Sequence, residues 1–104
     1  MKNTEPYIAV IFTSVRSDDQ EGFSDMDKRT FEEVERSPGY LGAESYSADG
    51  GRHVTIAYFR SEEDVATWKS NTLHLEAQEL GRKRWYKEYR IRICRVERDY
   101  EFNK

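Results

Sequence analysis

Residues 7–15, YIAVIFTSV, are apolar or β-branched at nearly every position and predict a strand. Sorted by a period of two, Ile8, Val10 and Phe12 share one face, while Ala9, Ile11 and Val15 share the other. Both faces are largely apolar, so both need a cover. The helices of one small domain cover only one face well, which makes a second subunit the candidate cover for the other.

After a polar loop at 17–22, Phe23, Met26, Thr30, Phe31 and Val34 recur at helical spacing, with acids and bases opposite. That spacing predicts an amphipathic helix over 23–34. Ser37-Pro38-Gly39 ends it, because proline cannot continue a helix and glycine accepts the turn. A strand follows over 40–48, then a hairpin turn at Asp49-Gly50-Gly51, then a strand over 53–59 with Val54, Ile56 and Tyr58 on one face. Ser61-Glu62-Glu63-Asp64 has the form of a capping box and starts a second helix, which reaches about Lys69 with Val65 and Trp68 on one side. Ser70-Asn71-Thr72 interrupts that pattern. In the third helical piece Leu73, Ala77 and Leu80 form an inward stripe, His74 and Gln78 share the adjoining face, and Gly81 marks a weak end or kink. The last strand covers about 89–98, with Tyr89, Ile91 and Ile93 alternating against Arg90 and Arg92.

The order is β-α-β-β-α-β, the α+β ferredoxin-like arrangement, in which helices cover one face of a four-stranded antiparallel sheet. The two-sided first strand then predicts that the open face is buried in a homodimer, as two sheets facing each other in a dimeric α/β barrel. The segment RVERDYEF beyond the core is long enough to reach the partner. With no internal repeat, low-complexity tract or linker, residues 1–104 read as one domain with a core at about 7–102.

Composition narrows the function classes. Charged residues make up 36% of the chain and mean hydropathy is -0.96, yet aromatics reach 13%. A polar average with many aromatics suggests a thin core plus an aromatic-lined pocket or interface. A net charge of -3 with interspersed signs gives no steering towards nucleic acid. Cys94 is the lone cysteine, so neither an intrachain disulfide nor a thiolate metal cage forms. His74 and Gln78 supply one good metal ligand and one poor one, and glycine patterns for nucleotide cofactors are absent, so no metal and no cofactor are expected. The start MKNTEPYIAV lacks the apolar run of a signal peptide and no stretch approaches a membrane span, which points to a soluble cytoplasmic protein.

The pieces SPGYLGAES, VTIAYFRSEEDVATWK and HLEAQELGRKRWYKEYRIRICRVERDYEF resemble the antibiotic biosynthesis monooxygenase (ABM) domain family over about residues 7–102. Its most specific parts are the PG-x-LG turn after the first helix and the spaced WK, H-x-x-AQ and GR-x-x-WY elements. The resemblance implies a dimeric ferredoxin-like barrel with an aromatic-lined cavity between sheet and helices. It also implies a cofactor-independent monooxygenase acting on a planar aromatic or phenolic small molecule, such as a polyketide anthrone oxidised to a quinone. In such members the protein contributes proton abstraction, orientation and exclusion of water. Trp68 matches the helix-two tryptophan of the oxygenase branches. The haem-degrading branch has a histidine where this chain has Gln78, with His74 one turn earlier, and an asparagine on the first strand, where residues 7–15 have none. These departures argue against haem degradation.

Within this frame His74 and Trp68 are the catalytic candidates, and Asn71, Gln78, Arg82, Trp85 and Tyr89 the substrate-binding ones. Neutral imidazole can accept a phenolic proton near pH 7, although His74 also reads as an exposed helix residue. Trp68 reads equally as a core anchor. Trp85, Tyr86 and Tyr89 either stack on a planar substrate or seal the dimer seam, with the seam preferred for Tyr86. Asn71 also fits a helix cap, and Arg82 and Arg84 also fit solvated pairs with Glu79 and Glu88. Cys94 reads as an inert strand residue, and His53 as exposed after its turn. A non-catalytic dimer that binds a small aromatic or lipid-like ligand is the alternative function.

Overall fold

A computed structural model describes residues 5–104. Its elements are β1 (Tyr7–Arg16), α1 (Phe23–Glu35), β2 (Tyr40–Ala48), β3 (Arg52–Phe59), α2 (Glu62–Lys69), α3 (Thr72–Leu80) and β4 (Tyr86–Val96). A 3-10 turn, Asp49–Gly51, joins β2 to β3, and a π-helical turn, Gly81–Trp85, joins α3 to β4. The sheet has the order β2-β3-β1-β4 with every neighbour antiparallel, so the fold is the expected ferredoxin-like one.

Strand β1 pairs on both edges, so its backbone groups are satisfied on either side and it is a central strand. Ile8, Val10, Phe12 and Ser14 share the helix-covered face with Phe59, Ala57, Thr55 and His53 of β3 and with Arg95, Ile93, Ile91 and Tyr89 of β4. Ala9, Ile11, Thr13 and Val15 lie on the opposite face beside Tyr58, Ile56 and Val54 of β3 and Cys94, Arg92 and Arg90 of β4. The core proper is small: Ile8, Val34, Phe59, Val65 and Trp68, with Val10, Tyr40 and Ala57 against it.

On α1 the packed stripe is Phe23, Met26, Thr30 and Val34. Phe31, one residue round the helix from Thr30, remains 48% exposed and is not part of the core. The Ser61 cap forms as expected, its hydroxyl accepting from the Asp64 N–H at 3.2 Å. Asp64 is also why Gly39 is glycine. At φ +74° the Gly39 backbone lies so close to α2 that a Cβ would come within 1.9 Å of the Asp64 carboxylate.

Strand β4 starts at Tyr86, earlier than the alternation from Tyr89 indicates, and ends at Val96, short of Arg98. The cause of the early start is a bulge. Val15 pairs with Glu88, but Arg16 pairs with Tyr86, leaving Lys87 over. Without the bulge Lys87 would face the helices; with it, Tyr86 does. Beyond Val96, Asp99 accepts a hydrogen bond from the Tyr7 hydroxyl. No helix among the described residues is long and apolar enough to cross a membrane.

Candidate functional site

Helices and sheet do not close completely on each other. Between them lies a cavity of about 230 Å³, floored by Val10, Phe12, Ala57 and Phe59 and roofed by Met26 and Thr30 of α1, Val65 and Trp68 of α2, and Ala77 and Gln78 of α3. Ile91 and Ile93 of β4 line it too, and both keep more than a third of their surface accessible, which marks that side as the mouth. An apolar concavity with a few polar groups at its ends is the usual form of a small-molecule site.

One polar end is built by α2 and α3. Asn71 starts α3 by accepting from the N–H groups of Leu73 (2.9 Å) and His74 (3.2 Å). That cap fixes His74 in the first turn, where its ring lies against Trp68 with centroids 5.0 Å apart and a 41° tilt. Its Nδ1 is buried with no hydrogen-bond partner among the described residues. Burial pushes the imidazole below its ordinary 6.5, the Lys69 carbonyl nearby opposes this in part, and the Lys69 charge adds to the fall. His74 is therefore neutral at pH 7 and carries an unused ring nitrogen.

The other end is built by the end of β1, the start of β3 and the start of β4. Arg16 lies with its guanidinium carbon 4.4 Å from the Phe23 ring centre. His53, paired with Ser47 through Nδ1 at 2.7 Å, lines the cavity here and is not an exposed residue. Burial lowers its pKa first, the Arg16 charge next, and Asp27 pulls the other way. Tyr86 also lines the cavity, and burial pushes its hydroxyl up to about 12. It is a hydrogen-bond donor at physiological pH. Its ring rests on Gly81, where a Cβ would stand 2.7 Å from the Tyr86 Cε2.

Of the residues singled out in the sequence, Trp68, His74, Gln78, Trp85 and Tyr89 line this one cavity, whereas Asn71 and Arg82 do not. Asn71 works from behind as the α3 cap, its amide nitrogen reaching Glu33 Oε1 at 3.5 Å. Arg82 is exposed and donates to the Tyr89 hydroxyl at 3.3 Å. Arg84 pairs with Asp19 at 3.0 Å and Glu21 at 3.3 Å, neither of which is a neighbour in sequence. Cys94 is half-buried on the sheet face away from the helices. Arg16 and Asp27 are cavity residues that the sequence pattern did not single out, and Thr30 and His53 line it too, though the one was read only as part of a helix stripe and the other as exposed. Arg16 had a signal, since it continues the even-numbered face of β1 beyond Ser14; His53 had one only through the β1–β3 register. No group of three or more metal-ligating side chains is gathered anywhere among the described residues.

The family model for antibiotic biosynthesis monooxygenase matches residues 6–80, most of the chain. The chain belongs to the ABM family. The matched part of this ABM protein includes β1 to α3, and so both Trp68 and His74; the GR-x-x-WY element lies past its end. The uncharacterized protein YqjZ of Bacillus subtilis (strain 168) is 37% identical over 97 residues, 93% of this chain and 85% of its own. Among solved structures, a mutant of SnoaB, a cofactor-independent oxygenase from Streptomyces nogalater, superposes with TM-score 0.76 at 12% identity, covering 89% of this ABM chain and 95% of its own. A conserved protein from Methanosarcina mazei Go1 gives 0.77 at 16% identity, over 88% and 93%. At such identities these two structures speak for the shared fold.

Proposed function

We propose that this ABM protein is a cofactor-independent monooxygenase acting on a planar aromatic phenol of the anthrone or hydroquinone type. The observation that carries the reading is the neutral imidazole of His74 against Trp68 in the wall of an aromatic-lined cavity, its buried Nδ1 without a hydrogen-bond partner among the described residues. A buried nitrogen without a partner is costly to keep unless a ligand supplies one. His74 takes the phenolic proton, Trp68 flanks the ring, and the Gln78 amide and Tyr86 hydroxyl orient the substrate oxygens. The resulting electron-rich anion reacts directly with dioxygen. For an anthrone, the ring methylene becomes a carbonyl, one oxygen atom enters the product and the other leaves as water. The methylene carbon loses four electrons and dioxygen gains four, so no further reductant is required. The SnoaB fold supports this reading by its likeness.

The same reading assigns the open sheet face to a homodimer. Ile11, Val54 and Ile56, each partly exposed, form an apolar centre there around the buried Ala9, on the side of the sheet away from the helices.

Oxygen-electrode measurements with anthrones and hydroquinones test the chemistry. Saturable uptake is expected with at least one substrate. Ala57→Phe, which fills the cavity floor, is expected to lower kcat/KM at least about tenfold while the circular-dichroism spectrum is kept. Absence of uptake across the panel, or uptake indifferent to Ala57→Phe, would reject the reading.

A further inference from the structure

At the β1 end of the cavity one guanidinium, Arg16, stands with one carboxylate, Asp27. The period of two that turns Val10 and Phe12 towards the helices brings Arg16 there as well, and the bulge after Val15 sets Tyr86 opposite it. Arg16 forms no ion pair among the described residues. Its Nε is shut off from solvent with no hydrogen-bond partner. Asp27 is the one carboxylate among the cavity residues, and it is an exposed side chain of α1, while Lys69 adds a second positive charge at the far end. A guanidinium seated over an aromatic ring, beside a donor hydroxyl on the neighbouring strand, offers its fork to a planar anion.

Resting on the cavity's being the substrate site, we propose that this end is an anion subsite in which Arg16, assisted by Tyr86, holds a carboxylate of the aromatic ligand. The ligand class is then a hydroxyaryl carboxylic acid. Its phenol lies at the His74–Trp68 end and its carboxylate at the Arg16 end, and this polarity fixes which way round it binds. A site with buried donors left over discriminates against a neutral analogue far more strongly than an apolar wall does.

Calorimetric titration of the whole protein at pH 7 with 2-naphthoate and with 2-naphthalenemethanol tests this, since the two probes share a ring system and differ in charge. The wild type is expected to bind the carboxylate at least about tenfold tighter than the alcohol. Arg16→Gln keeps part of the aliphatic stem, removes the charge, and is expected to bring the two affinities within about twofold of each other, chiefly by weakening the carboxylate. If Arg16→Gln does not fold by circular dichroism, Arg16→Lys decides, with an expected loss of roughly threefold or more for the carboxylate alone. Equal affinities in the wild type, a preference that survives these substitutions, or no binding of either probe overturns the subsite. Oxygen uptake on neutral phenols is the separate readout. If uptake persists while the carboxylate shows no advantage, the oxygenase reading stands and only the anion subsite falls.

Discussion

Trp85→Ala is expected to destabilise the fold by about 4 kcal/mol, as large-to-small changes at buried aromatics do. A domain of this length has on the order of 5–15 kcal/mol to lose, so a large part of its stability is at stake. The size follows from how much converges on this residue. Its ring is 3% exposed and meets Phe23 edge-on at 5.4 Å. The indole Nε1 donates to the Glu21 carbonyl at 2.9 Å. The Trp85 carbonyl accepts from the Ser17 N–H and from the Gln20 amide, both at 2.8 Å. The π-helical turn thereby ties the loop before α1 to the start of β4. Trp85→Phe keeps the apolar ring and loses the Nε1 bond, for an expected cost of about 1–2 kcal/mol. Urea unfolding followed by circular dichroism separates the two. A Trp85→Ala cost below that of Trp85→Phe would show that the residue serves only as a ligand wall.

His74→Ala is expected to lower kcat for phenol oxidation by roughly two orders of magnitude, within the range found when a positioned general base is removed. Added imidazole is expected to restore part of the rate, because the deletion leaves a space beside Trp68; a purely structural loss would not respond. In the wild type the rate limb assigned to His74 rises with pH and has its midpoint below 6.5, since burial favours the neutral base. Stability follows the same sign. Above 6.5 the imidazole is neutral in both the folded and unfolded chains. As pH falls below 6.5 the unfolded chain binds a proton that the folded one takes only at lower pH, so stability declines. Unchanged kcat in His74→Ala would remove this residue from the chemistry.

The fold was legible because each element announces itself locally. The apolar and β-branched run at 7–15 gave β1, Ser61 and Asp64 gave the start of α2, and Pro38-Gly39 gave the turn that docks on it. At the site, the α2–α3 end was legible for the same reason: Trp68, Asn71, His74 and Gln78 lie within eleven residues, across two successive short helices joined at the Asn71 cap. The β1 end depends on pairing between distant strands. Whether Lys87 or Tyr86 faces the cavity is decided by one leftover residue in the β1–β4 register, and nothing in the run WYKEY reveals it. The basic run Arg82–Lys83–Arg84 misled similarly. Arg84 finds Asp19 and Glu21 more than sixty positions away, so a stretch rich in site-like side chains is largely a clamp. His53 looked exposed because it follows a turn, yet its register partner Ser14 places it on the covered face.

If aromatic ligands enter between the helices and the sheet, the methyl groups that sense them are known in advance. The direct measurement is methyl NMR on isoleucine- and valine-labelled protein titrated with 1,8-dihydroxyanthraquinone, a stable planar phenol. The expected result is saturable shifts at Val10, Val65, Ile91 and Ile93, which line the cavity. Shifts confined to Ile11, Val54 and Ile56, on the opposite face of the sheet, would contradict it.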